Sequence, residues 1–224
     1  MNNIFLTGVS RGLGKCLLDA LAGRADVRLI TVGRHFSDEA RVKAFACVTW
    51  DLSQPEAMPD LADVLPEDGS VTLVNNAGVA VPIGAVGTLD GAALVRTATV
   101  NFVSPMLLVN QLQELCEKRK QEGQLTIINI STGAANYPIA GWGAYCSTKA
   151  AMKMFLDVLA EDAKERVRVI HVDPGVMDTG MQASIRASDF PRQAEFQGYK
   201  DQGRLRRPED VAREIVEKYL SESI

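Results

Sequence analysis

The stretch GAYCSTK, Gly143 to Lys149, sets a phenol and an ammonium four residues apart. On a helix, positions i and i+4 share a face, so Tyr145 and Lys149 would stand side by side. A free tyrosine, with a pKa of about 10, is a poor proton donor or acceptor at neutral pH. A neighbouring positive charge favours its anion and brings proton exchange with an oxygen within reach. Such an exchange suits the reduction of a ketone, where hydride delivery leaves an alkoxide in need of a proton. The same pair is also an ordinary polar helix face, and only the rest of the chain decides between the two.

A second chemical feature lies near the amino terminus. In TGVSRGLGKCLLDAL, glycines 8, 12 and 14 fall between a short apolar run and a helical pattern. Bare backbone at Gly8 and Gly12 would let N–H groups approach a pyrophosphate. Gly14 would permit close helix-on-strand packing, and the positive helix end favours an anion. The spacing, G-x-x-x-G-x-G, departs from the commoner G-x-G-x-x-G, and a glycine triplet by itself is also a plain tight turn. At the end of the next apolar run stand Gly33 and Arg34, where an acidic residue would grip a ribose 2′-hydroxyl. Arg34, with Arg11 from the glycine turn, is instead suited to a 2′-phosphate, which favours NADPH over NADH. The plainer fate of both arginines is solvation at the surface.

These residues need elements to position them. NIFLTG, VRLITVG, ACVTWDL, VTLVNNAG, LTIINIS and VRVIHVDPG read as six strands. They alternate with helical patterns predicted over about 13–23, 38–45, 55–64, 88–120, 143–164 and 208–222, the fourth broken near Asn101 or Pro105. The alternation predicts an α/β chain: a Rossmann-like, doubly wound parallel sheet covered by helices on both faces. With 224 residues and 46% hydrophobic content, one domain over 1–224 is expected. The irregular stretch 176–206 is the candidate substrate loop, since long loops in compact domains commonly serve as lids.

Composition narrows the partners. The net charge of −4 arises from 24 basic and 28 acidic residues spread along the chain, without the basic stripe that nucleic acid or an anionic membrane requires. MNNIFLTG has no leader pattern, and no uninterrupted apolar stretch reaches the length of a membrane span, so a cytoplasmic protein is expected. Cys16, Cys47, Cys116 and Cys146 form no Cys-x-x-Cys pair, and His35 and His171 neighbour none of them. No metal site is expected. Cys146 reads as packing.

Taken together, TGVSRGLG at 7–14, NNAG at 75–78, Asn101 in TVNFVSP, Ser131 in NISTGA, YCSTK at 145–149 and DPGVMDTGMQ at 173–182 resemble the short-chain dehydrogenase/reductase family, in that family's order. The resemblance implies a catalytic set of Asn101, Ser131, Tyr145 and Lys149. In it Ser131 holds the carbonyl oxygen, Tyr145 donates the proton, Lys149 tunes it and binds the nicotinamide ribose, and Asn101 holds a water that relays protons. A helix cap or kink beside Pro105 is a second role for Asn101. The implied cofactor contacts are Gly8, Ser10, Arg11, Gly12, Leu13, Gly14 and Arg34, then Asp51 and Leu52 at the adenine. Asn75, Ala77 and Gly78 would shape the wall behind the adenosine ribose. Pro174, Gly175, Val176 and Thr179 would surround the carboxamide, with Tyr145 and Lys149 beside it.

Within that family, DPGVMDTGMQ and ISTGAA resemble the sepiapterin reductase and benzil reductase branch, which implies reduction of one carbonyl of a vicinal dicarbonyl. A 3-oxoacyl or general carbonyl reductase is the alternative within the family, and an NADPH-binding regulatory module without turnover the alternative of another class. The chain shows no seventh strand after RPEDVAREIVEKYL, where the family carries one with a pocket-lining tail. The sixth strand is therefore expected at a sheet edge, and an open site for aryl or aliphatic diketones over a pterin site. The resemblance also implies a homodimer through helices near 100–120 and 143–164. Met106, Leu107, Met152, Met154 and Phe155 suit such an interface or the monomer's own core.

Overall fold

The apolar runs near the start of the chain become neighbouring strands of one sheet. The computed structural model describes residues 1–120 and 123–221. It contains β1 (Asn2–Thr7), β2 (Val27–Gly33), β3 (Ala46–Thr49), β4 (Ser70–Asn75), β5 (Leu125–Ile130) and β6 (Val167–Val172). All neighbours are parallel, in the order β3-β2-β1-β4-β5-β6. The strands draw on Val, Ile, Leu and Phe for both faces because both are covered. Alternation sends Ile4 and Leu6 into one core and Phe5 into the other.

The core containing Ile4 and Leu6 is closed by α1 (Gly12–Leu21), through Leu17 and Leu21, and by α8 (Pro208–Ile215), through Val211 and Ile215. The opposite core is closed by α4 (Ser104–Lys118), through Leu108 and Leu112, and by α5 (Gly143–Asp162), through Met152 and Leu156. Chain order steps from β1 to β2 on one side and resumes at β4 on the other. That reversal opens a crevice at the carboxyl ends of the strands, where ligands of such sheets bind. Among the described residues β6 is an edge strand.

Several elements differ from the sequence expectation. The stretch 55–64 holds two short 3-10 turns, Pro55–Ala57 and Leu61–Asp63, because Pro55 and Pro59 interrupt any α-helical ladder. The span 88–120 starts at α3 (Gly91–Ala98), capped by Asp90 accepting from the N–H of Ala93 at 2.7 Å, and widens into a π turn, Thr99–Val103, before α4. Pro105 has no N–H to give the Asn101 carbonyl one turn earlier, so the ladder is disrupted where the break was expected. By length and composition the run Gly91–Lys118 could cross a membrane, although charged residues interrupt it. Here its apolar face is spent in the core.

The candidate substrate loop is not irregular. It carries α6 (Gly180–Arg186) and α7 (Gln193–Asp201), with Thr179 capping α6 by accepting from the N–H of Gln182. Its ends are clasped together: the N–H of Arg206 donates to the Val176 carbonyl and the N–H of Asp178 to the Arg206 carbonyl, both at 2.9 Å. The guanidinium of Arg206 adds a bond to the Pro174 carbonyl at 3.2 Å. The last helix continues through a π turn, Val216–Leu220, and the expected end at 222 lies outside the described residues.

Candidate active site

The glycine turn after β1 is built for close approach. Gly8 lies at φ +75°, and a Cβ there would stand 2.9 Å from the Ala77 Cα. A Cβ on Gly14 would fall 2.1 Å from the Gly8 carbonyl oxygen, so only glycine lets α1 start this near the strand. Asn76 ties the turn to the exit of β4: its side-chain amide donates to the carbonyls of Thr7 at 2.9 Å and Gly8 at 3.3 Å. The Thr7 hydroxyl accepts from the N–H groups of Asn76 and Ala77 at 3.0 and 2.9 Å.

One cleft runs from this turn across the strand ends. Gly8, Ser10, Arg11, Gly12, Leu13, Gly14, Arg34, Asp51, Leu52, Ala77 and Gly78 line it at one end, and Ser131, Tyr145, Lys149, Pro174 and Thr179 at the other. Gly175, Val176 and Asn101 do not line it. Neither does Asn75, whose amide is buried beneath the cleft and donates to the Asn129 side chain at 3.0 Å. Adjacent strand residues face opposite ways, so the residue presented to the cleft is Asn76.

Arg34 stands 3.9 Å from the Asp51 carboxylate, a separation that leaves its guanidinium fork available. The other Asp51 oxygen accepts from the backbone and hydroxyl of Ser53, each at 2.9 Å. Burial works against ionisation of Asp51, but the Ser53 bonds, Arg34 and Arg96 together hold its carboxyl below the usual range. Arg96, on α3, lines the cleft and escaped the sequence reading, as did Trp50 and the lid residues Met177 and Met181.

At the other end α5 delivers Tyr145 and Lys149 on one face. The Lys149 ammonium is buried, donates to the Ile130 carbonyl at 2.9 Å and lies 5.8 Å from the centre of the Tyr145 ring. A Cβ at Gly78 would press on the Asn101 side-chain oxygen at 3.3 Å and touch the ammonium at 3.7 Å. Asn101 acts from behind. Its side chain accepts from the N–H of Val79 and donates to the Val79 carbonyl, both at 2.8 Å, and also donates to Thr148 at 3.1 Å. The Thr148 hydroxyl donates to the Tyr145 carbonyl at 3.0 Å. Asn101 thereby clamps the loop after β4 to the first turn of α5, and its side chain is committed to that task.

The electrostatics correct one expectation. Burial pushes the Tyr145 hydroxyl up to about 12, and the Asp173 carboxylate and Cys146 push the same way. Lys149 does not overcome this, because its own burial brings it down to about 8. Burial, aided by Asp173, therefore keeps Tyr145 well on the protonated side at neutral pH. Ser131, fixed by its N–H donating to the Val172 carbonyl at 2.8 Å, and Tyr145 both present hydroxyls to the cleft, and neither hydroxyl has a protein hydrogen-bond partner among the described residues. A polar group held at the end of an apolar cleft without a partner is available to a ligand.

A family model described as short chain dehydrogenase matches residues 2–189. A benzil reductase ((S)-benzoin forming) of Bacillus subtilis (strain 168) is 34% identical over 224 residues, covering 95% of this chain and 90% of the relative. Its counterpart from Bacillus cereus is 30% identical, covering 96% and 92%. The crystal structure of the KRED1-Pglu enzyme superimposes with a TM-score of 0.81 at 28% identity, covering 100% of this chain and 97% of the other.

Proposed function

The chain belongs to the short-chain dehydrogenase family and is an oxidoreductase, and on that premise we propose that it is an NADPH-dependent reductase of vicinal diketones. The family binds nicotinamide cofactors, and the cleft fits one. Backbone that a single Cβ would obstruct lies at Gly8 and Gly14, and the polar end offers two unpartnered hydroxyls. The preference for NADPH rests on Arg34 and Arg11 at the mouth, with Gly33 where an acidic residue would repel a 2′-phosphate. Bound there, the cofactor would supply the hydride and, once oxidised, a positively charged ring near Tyr145.

The observation that carries the reading is the pair of free hydroxyls on Ser131 and Tyr145 beside a buried ammonium. Both hydroxyls can donate to one carbonyl oxygen, which stabilises negative charge as it develops there. Tyr145, protonated at neutral pH, gives its proton to that oxygen. The anion left on Tyr145 is stabilised by the Lys149 ammonium. Lys149, with a pKa of about 8, can itself exchange a proton near neutral pH. The diketone preference draws on the two Bacillus relatives, which are benzil reductases, and on the aromatic layer over Tyr145.

The test follows NADPH oxidation at 340 nm with benzil, sepiapterin and simple ketones. Tyr145→Phe should lower kcat by about 100-fold or more while NADPH affinity holds. Full activity in that variant would remove Tyr145 as donor, and cofactor binding without turnover on any carbonyl would favour a regulatory module. We also propose a homodimer. Met154 and Val158 project from α5 four residues apart and exposed, whereas Met152, suggested for the same surface, is buried in the chain's own core.

A further inference from the structure

Three of the five buried side-chain polar atoms that lack a hydrogen-bond partner, among the described residues, belong to the start of α5 and to the lid helix α6: Trp142 Nε1, Gln182 Oε1 and Arg186 Nη1. Buried polar atoms are normally paired, so such a concentration requires a cause. The other tryptophan shows the usual solution, its Nε1 donating to the Gln54 carbonyl at 3.0 Å. Trp142 is equally enclosed, at 5% exposure, yet its N–H is left over.

Its surroundings explain what it could serve. Trp142 precedes Tyr145 by one helical turn, and the two rings meet edge to face with centres 5.4 Å apart. The lid lays Phe196 and Phe190 against the indole at 5.0 and 6.0 Å, tilted only 36° and 45°. Neither phenylalanine ring carries a nitrogen or oxygen to accept from the indole N–H. The position is thus an aromatic enclosure beside the proton donor, with the unpaired indole N–H inside it.

We infer that Trp142 is a specificity-determining residue, its indole N–H donating to the second carbonyl oxygen of a vicinal dicarbonyl while Ser131 and Tyr145 hold the first. This rests on the carbonyl reductase reading above. In such a substrate the second carbonyl is one carbon–carbon bond from the reacting one, and the indole packed against Tyr145 is the unpaired donor beside it. An aryl substituent would then lie among Phe190 and Phe196 in the place of the lid's own packing. A substrate with one carbonyl leaves the N–H buried and unpaired, and so binds with no reward at that point.

The experiment compares benzil with deoxybenzoin, which lacks the second carbonyl, in wild type and Trp142→Phe. The variant should lose about tenfold or more of kcat/KM on benzil and little on deoxybenzoin. Equal losses on both substrates, or none on either, would overturn the inference. A second measurement needs no variant: the protein holds two tryptophans, and in the NADP+-saturated 15N-labelled protein one indole N–H resonance should move downfield with benzil and stay with deoxybenzoin. Unmoved resonances while benzil is bound would also overturn it. Wild type that oxidises NADPH with neither ketone fails the carbonyl reductase reading itself. Wild type that turns over benzil regardless of Trp142 fails only this inference.

Discussion

Replacing Lys149 with methionine should stabilise the protein while stopping turnover. Burial alone moves this lysine from 10.5 to about 8. At about 1.4 kcal/mol per pH unit, keeping the ammonium inside costs about 3 kcal/mol. Below about pH 8 both native and unfolded chains carry the proton, and the whole cost is present. Between about 8 and 10.5 the native state gives up its proton first. The unfolded state then binds more protons, so stability rises with pH until the cost has gone. Methionine removes the cost and forfeits the hydrogen bond to the Ile130 carbonyl, worth about 1 kcal/mol. The net gain near pH 7 is about 2 kcal/mol, or a Tm higher by roughly 4–8 °C for a chain of this size. At about pH 9.5 the wild-type lysine is already neutral in the native state, and the gain should fall by about 2 kcal/mol. Calorimetry of both proteins at the two pH values, without cofactor, measures this. A variant less stable than wild type at pH 7, or one with the same advantage at both, would refute the claim that Lys149 is held charged at the expense of the fold.

Arg34→Ala should weaken NADPH binding by about tenfold or more and leave NADH nearly unchanged, because only NADPH carries the 2′-phosphate; titration of cofactor fluorescence separates the two, and equal losses would remove Arg34 from that role. Gly14→Ala drives a methyl into the Gly8 carbonyl, so thermal unfolding should show a loss of about 1–3 kcal/mol and cofactor titration a parallel loss of affinity. Met154→Glu puts a charge on the exposed apolar stripe of α5 and should convert a dimer to monomer in sedimentation, whereas unchanged sedimentation would exclude that face as the interface.

The strands were readable because each is a compact run of Val, Ile and Leu bounded by turn residues, a pattern that parallel sheets enforce by burying both faces. The cleft's glycine turn and the Tyr145–Lys149 pair were readable because their chemistry depends on local spacing. What local spacing does not carry is parity and environment. Asn75 and Asn76 are identical residues in succession, and which one meets the cleft depends on the phase of β4 in the folded sheet. Tyr145 next to a lysine suggests a lowered pKa, but its burial in the folded chain, with Asp173 and Cys146, pushes it up. α6 and α7 escaped because at seven and nine residues they are short, and their apolar residues answer to Trp142 rather than to the sheet. The Thr179 cap, with glutamine three residues on, was the one local sign of α6.

The clasp at Arg206 gives the lid a property of its own. Because Val176 and Asp178 are bonded to Arg206, the two helices between them leave the scaffold and return to it at a single point. Lengthening or exchanging such an excursion costs little closure entropy, since that cost grows only slowly with length. It also leaves every strand register untouched. The glycine turn and the strands that carry it can therefore stay in place while the lid varies. The stretch from 180 to 205 is a cassette, whose replacement would redirect substrate choice and reset the burial of Tyr145 without moving a strand.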